Sequence, residues 1–267
     1  MKLSLKWSLS IFAGILFASQ AVADDRLTFS ANGETLTDTS GGGGASVGWL
    51  HNFSPDALLG VGVEYQAIAN AHWTVGSISG AYIGGDARRR WNLSGNFRKG
   101  SGWNGARSFD YQDASVGASI PLIQKLSMQL EDRQIDIDTA HGNLPKIGVS
   151  FLVNPRLLTS VSYARSIGGN LGTEITTGRV DYYIGRFHLI GGGAFGSADP
   201  IVLNLATRIH LPSRTLKEGF AGFGRTSTNF EWQLLGDYQK LASSERVTVT
   251  LSYTRFLNGP ARSVPGR

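Results

Sequence analysis

The chain of 267 residues contains no cysteine. That excludes a disulfide framework and any cysteine-ligated metal or redox centre. It also lacks an apolar run approaching the roughly 18 residues that a membrane-spanning helix needs. Its one concentrated apolar stretch, Trp7 to Ala18, is too short to cross a bilayer. Proline is scarce at 8 residues, whereas glycine is abundant at 35. With mean hydropathy near zero, at −0.08, this composition suits an all-β chain whose strands are each half apolar.

The first residues read as an export signal. Lys2 and Lys6 give a positive start, the apolar run follows, and Ala21-Val22-Ala23 supplies a small-x-small cleavage pattern. We expect residues 1–23 to be a signal peptide, residues 24–257 the folded body, and residues 258–267, rich in Pro, Gly and Arg, a short disordered tail. The net charge of +5 and a pI of about 9.6 make the chain basic. For an exported protein an anionic lipid or lipopolysaccharide surface is the expected partner, and nucleic acid is not. Clusters such as Arg88-Arg89-Arg90 and the tail residues Arg262 and Arg267 are equally explained by solvated turns.

What the sequence does have is period-two alternation, repeated in many separate segments. From Leu59 to Ala67 the odd positions are Leu, Val, Val, Tyr and Ala, with Gly60, Gly62, Glu64 and Gln66 between them. Ile147, Val149, Phe151 and Val153 repeat the pattern, as do Val247, Val249, Leu251 and Tyr253. Successive side chains on a strand face opposite ways, so each segment is two-sided. Alternation alone does not separate a soluble sandwich from a membrane barrel. Segments of about ten residues along nearly the whole chain favour the barrel. So do aromatics near strand ends (Trp49, Phe53, Tyr65, Trp73, Tyr163, Phe187, Tyr238, Tyr253), where an interfacial girdle needs them. Tight turns at Ser54-Pro55-Asp56-Ala57, Asn154-Pro155-Arg156 and Gly185-Arg186 alternate with longer polar links at Asp38–Gly44, Gly100–Ser108, Asp138–Asn143 and Ser166–Gly172.

The expected strands are 26–36, 44–53, 58–68, 72–83, 88–99, 109–120, 125–137, 145–154, 157–166, 173–184, 187–196, 201–210, 217–226, 229–239 and 246–257. A single-chain bacterial barrel normally uses an even number. One of these assignments is therefore in error, the 201–226 region is the least regular, and the count is 14 or 16. The fold class is an all-β transmembrane antiparallel β-barrel in the bacterial outer membrane.

Tyr163-Ala164-Arg165-Ser166 at one strand end, and Val180-Asp181-Tyr182-Tyr183-Ile184-Gly185-Arg186-Phe187 across a tight turn, give this layout a resemblance to the YaiO-like outer-membrane barrel family. The likeness covers nearly the whole mature chain, except that the terminal aromatic lies inward, at Phe256. It implies an envelope protein related to exit pores for exopolysaccharide, and it carries over no catalytic residue.

The candidates for chemistry are few. Five histidines occur, at positions 51, 72, 141, 188 and 210, but none forms the His-x-Ser pair that lipid-cleaving barrels present. Asp136, Asp138 and His141 form the densest titratable cluster, and a solvated acidic loop explains it. Gly191-x-Gly193-x-x-Gly196 matches a dinucleotide fingerprint in letters only, because no helical pattern follows. We expect no enzyme activity, cofactor or metal.

The polar strand face remains. Glu64, Arg90, Arg98, Arg179, Asp181, Arg208, Glu231 and Asp237 would line the lumen, and both signs occur on different strands. The expected function is a passive pore or export channel for a polar solute or polymer such as exopolysaccharide. The alternative is a closed structural barrel of envelope assembly; a lipid-modifying enzyme is less favoured. Expected partners are outer-membrane lipid and lipopolysaccharide, the barrel-assembly machinery and periplasmic export partners.

Overall fold

The computed structural model describes residues 25–37, 39–68, 71–86, 90–103, 105–137, 140–197, 215–241 and 245–257. The proposed signal peptide and C-terminal tail lie outside them. The strands are β1 (Arg26–Leu36), β2 (Thr39–Ser54), β3 (Ala57–Ile68), β4 (Ala71–Gly84), β5 (Trp91–Trp103), β6 (Ser108–Ile123), β7 (Leu126–Ile137), β8 (Ala140–Asn143), β9 (Lys146–Asn154), β10 (Leu157–Arg165), β11 (Glu174–Ile184), β12 (Phe187–Ser197), β13 (Thr215–Thr226), β14 (Phe230–Leu241) and β15 (Glu245–Phe256). Consecutive strands pair antiparallel, except that β8 and β9 both pair with β7, and β1 meets β15 over its full length from Arg26↔Phe256 to Leu36↔Arg246.

Strands β8 and β9 are one crossing. Both pair with β7, and Leu144-Pro145 separates them because proline has no N–H for the ladder. The main chain bridges the gap through Leu144 N to Arg133 O at 2.7 Å. The result is a closed 14-strand barrel without free edges. The expected strand at 201–210 lies outside the described residues, and the other fourteen expected segments each coincide with one crossing. The Gly41–Gly44 run belongs to β2 rather than to a link.

The termini lie at one end, where Leu257 N donates to Asp25 O at 2.8 Å and Asp25 Oδ1 stands 2.7 Å from His51 Nδ1. The three tight turns predicted from sequence are all at this near end. A path of register partners from Arg26 at the near end runs through Leu50, Gly60, Ser79, Asn96 and Ser115, and meets β7 at Arg133, close to its far end. The strands therefore lean steeply against the barrel axis, as closure requires.

Over most of the height the barrel is apolar outside and polar inside. Val61, Val63, Ile78, Val116, Val149, Val161 and Leu251 are exposed on the outer face. Trp49, Phe53, Tyr82, Trp91 and Phe187 ring the near end; Tyr65, Trp103, Tyr163, Phe195 and Tyr238 ring the far end. A polar core inside an apolar surface suits lipid. Near the far end the arrangement inverts. On β4, Trp73 and Val75 point inward while His72 and Thr74 are exposed; on β7, Ile135 and Ile137 point inward while Gln134 and Asp136 are exposed. Phe109 and Tyr111 do the same on β6. Here the ordinary water-soluble rule holds, so these strand ends stand above the lipid. Trp73, expected in the girdle, is only 4 % exposed and belongs to this inner core.

Candidate functional site in the barrel lumen

Across the middle of the lumen the inner wall is built from small polar residues. One register row runs Gly60, Ser79, Asn96, Ser115, and another passes Gly148, Ser162 and Thr177. Such side chains are small and reach only a short way into the bore. Above them, inward-facing Leu36, Ile68, Trp73, Val75, Phe109, Ile135, Ile137 and Leu216 pack into one apolar cluster. Leu171, from the connection between β10 and β11, packs into it as well. The far mouth is thus filled by side chains from β1, β3, β4, β6, β7 and β13. Glycines admit the larger ones: a Cβ at Gly102 would stand 2.4 Å from Phe109 Cζ, and one at Gly42 would stand 2.3 Å from Ile68 Cγ1.

Three charged groups line the wall beneath this cluster. In the first, Arg98 on β5 donates to Glu64 Oε2 at 2.8 Å and to the Tyr111 hydroxyl at 2.7 Å. Tyr111 donates to Asp113 Oδ2 at 2.8 Å, and Arg133 grips both Asp113 oxygens at 2.9 and 2.6 Å. Two carboxylates meet two guanidiniums, so the group is neutral. In the second, toward the near end, Arg179 holds Asp181 through two bonds of 2.7 and 2.6 Å. His188 Nε2 lies 3.0 Å from Asp181 Oδ1, and its ring stacks on Tyr183 at 4.3 Å. Glu231 faces His188 and Arg26.

The third group lies just below the apolar cluster on β1, β13, β14 and β15. It contains Glu34, Glu218, Asp237, Gln239 and Arg246; Arg246 Nη2 donates to Gln239 Oε1. A separate inner pair, Lys146 and Glu131, bonds at 2.5 Å across β7 and β9.

Of the residues expected in the lumen from sequence, Glu64, Arg98, Arg179, Asp181, Glu231 and Asp237 stand on the inner face, divided among these three groups. Arg90 does not: it precedes β5 in the near-end turn and is exposed, because the strand begins only at Trp91. Arg208 lies outside the described residues. Sequence reasoning missed Asp113, Arg133, Glu34, Glu218 and Arg246.

The remaining motifs take structural places. His72 faces outward at the far end, and Gly191–Gly196 lies within β12 with no helix after it. Asp136 and His141 face each other as exposed register partners, and Asp138 lies outside the described residues. Among the described residues no three His, Asp or Glu side chains gather as a metal site would require. A groove of about 610 Å³ between Leu93, Val116, Leu130, Ile147, Tyr163 and Ile167 opens on the outer face. Its apolar lining faces outward, and it also touches Glu131 and Lys146 of the inner pair.

No family model and no curated protein sequence matches the chain. Solved structures do. The CymD monoaromatic hydrocarbon channel superposes with a TM-score of 0.65 at 12% identity, covering 94% of each chain. A FadL homologue of Pseudomonas aeruginosa gives 0.61 at 9%, covering 90% of this chain and 93% of that one. The Acinetobacter baumannii outer membrane protein Omp33 gives 0.52 at 7%, covering 88% and 99%. Identities this low speak for the fold, and none of these relatives is named as YaiO-like. The chain is a 14-strand outer-membrane β-barrel.

Proposed function

We propose that the barrel is a passive channel for small solutes of largely apolar character. The observation that carries this reading is the inward-facing apolar cluster at the far mouth, set above a bore walled by Gly, Ser, Thr and Asn. A strongly hydrated solute would lose its water against Ile68, Trp73, Phe109 and Ile135 with no hydrogen bond in return. A solute with apolar surface would gain from the same contacts. CymD is named as a channel for monoaromatic hydrocarbons and TodX as a toluene transporter, which agrees with such a mouth. No nucleotide motif is present in the sequence, so movement would follow the solute gradient.

Export of a wide, hydrated polymer such as exopolysaccharide, the role implied by a YaiO-like resemblance, draws no support from a mouth packed with apolar side chains. A closed structural barrel would explain the same packing, and transport separates the two. Cells that produce the barrel should take up a monoaromatic hydrocarbon faster than cells carrying the empty vector. A Trp73→Ala variant, with a wider mouth, should also admit small sugars. Equal uptake with and without a folded barrel, for both solute classes and both variants, would reject the channel.

A further inference from the structure

We propose that the near rim of the barrel carries a docking surface for anionic phospholipid headgroups, formed by Lys125, Arg156, Arg186 and Arg225. The surface lies outside the barrel, so it holds whether or not the lumen conducts.

The first argument is position. The β6–β7, β9–β10 and β11–β12 turns are the two-residue links Gln124-Lys125, Pro155-Arg156 and Gly185-Arg186. Leu152 N donates to Lys125 O at 2.8 Å, Tyr183 N to Arg156 O at 2.8 Å and Thr226 N to Arg186 O at 2.9 Å. The three cations therefore occupy one equivalent place, each with its carbonyl bound to the first strand of the next hairpin. Neighbouring turns are two strands apart, so the cations follow one another at roughly 10 Å along the rim. Arg225, the register partner of Phe187, extends the row, with its guanidinium 5.8 Å from the Phe187 ring centroid.

The second argument is charge. All four side chains are exposed, and none forms an ion pair among the described residues. Every near-end turn from β6 to β14 lies within the described residues, and none contains Asp or Glu. Asp181 and Glu231 face the lumen instead, toward Arg179, His188 and Arg26. The near-end carboxylates Asp25, Asp56 and Asp86 all lie on the β1–β5 side. At the far rim the signs are mixed: Lys240 stands 3.4 Å from Glu245, and Arg165 is the register partner of Glu174. An unbroken row of cations is thus confined to one arc of the near rim.

The third argument is what adjoins the arc. Ile123, Val153, Ile184 and Phe223, one to three residues before each cation, are exposed on the outer face. The cations therefore stand at the edge of the lipid-facing belt, at headgroup level. Short turns mark the periplasmic side of an outer-membrane barrel and longer links the outer side, which assigns the docked lipid to the periplasmic leaflet. A guanidinium meets a phosphate through two parallel N–H bonds, and basic residues beside lipid attract anionic headgroups. Two-residue turns end at that level and give a soluble protein little to grip.

The test uses the full mature chain folded into phosphatidylcholine vesicles at low salt. Spin-labelled phosphatidylglycerol and spin-labelled phosphatidylcholine are the probes, read by the motionally restricted fraction of the electron paramagnetic resonance spectrum. The parent should favour phosphatidylglycerol by about fivefold, the weight of one basic side chain at a lipid surface. Arg156→Gln, Arg186→Gln and Arg225→Gln together should abolish that preference, and the corresponding triple Arg→Lys variant should keep it. Arg165→Gln, Lys217→Gln and Lys240→Gln together remove the same charge from the far rim and should leave the preference unchanged. Gel mobility confirms that each variant is a folded barrel. Equal restriction of the two probes by the folded parent overturns the proposal. So does an equal loss of preference in the near-rim and far-rim variants, because net charge alone would then account for it.

Discussion

Arg98 on β5 reaches across the whole width of β4 to place its Nη2 2.8 Å from Oε2 of Glu64 on β3. The bond is possible because β4 presents Ser77 and Val75 to the lumen between them, and because inward side chains converge on a concave wall. On the far side of β5 the same guanidinium touches Tyr111, whose hydroxyl passes the contact to Asp113 and so to Arg133. Side chains of four strands, β3, β5, β6 and β7, are thus tied together across β4, just below the level at which the inner face turns apolar.

Removing one member of this network should cost more than removing a pair. Asp113 is 1 % exposed, so Arg133→Met leaves a buried carboxylate with only the Tyr111 hydroxyl and the more distant Arg98, at 3.9 Å. We expect a loss of about 3–5 kcal/mol in urea titrations followed by the gel mobility of the folded barrel. Arg133→Met with Asp113→Leu should recover a large part of that loss.

The outer face should reject charge. Val61 and Val149 are 44 % and 45 % exposed in the lipid-facing belt. Arginine at either position should cost ~2–4 kcal/mol near the bilayer midplane, whereas leucine should be close to neutral. Equal folding yields for the Arg and Leu variants in lipid vesicles would show that the in/out assignment is reversed.

Gly192 should tolerate no side chain. A Cβ there would stand 2.3 Å from the Gly178 carbonyl oxygen as well as against the Phe220 ring. Because part of the clash is with main chain, Gly192→Ala should destabilise by roughly 1–3 kcal/mol, and adding Phe220→Ala should rescue it only in part. Full rescue by the second change would place the clash in the ring alone.

The polarity inversion was written in the sequence as a change of phase. On β4 the apolar positions are odd at Trp73 and Val75, then even at Ile78 and Tyr82. On β7 they are even at Met128 and Leu130, then odd at Ile135 and Ile137. Read as one uninterrupted alternation, such a strand appears irregular, and Trp73 passes for a girdle residue. Read as two registers, it marks the level where lipid gives way to water.

Other features left weaker traces. Val61 and Val149 keep a single phase, which is why β3 and β9 were legible throughout. The alternation from Trp91 extrapolates backwards to Arg90, but periodicity carries no signal for where pairing stops. Asp113, Glu34 and Arg246 went unnoticed because a lone charge on a polar face is ordinary. Only the register brings Glu34 beside Thr248 and Asp237, and that register is set by turns and bulges rather than by any local motif.

Trp73→Ala bears on both halves of the account. Cutting the indole out of the apolar cluster should destabilise the barrel by about 3–5 kcal/mol and widen the far mouth at the same time. The most direct measurement is therefore single-channel current across a planar bilayer, for the folded parent chain and for Trp73→Ala. The parent should give small steps or brief openings, and the variant larger, longer-lived steps. A variant shown to be folded and inserted, yet as silent as the parent, would contradict it, because the lumen would then be closed by more than the apolar mouth.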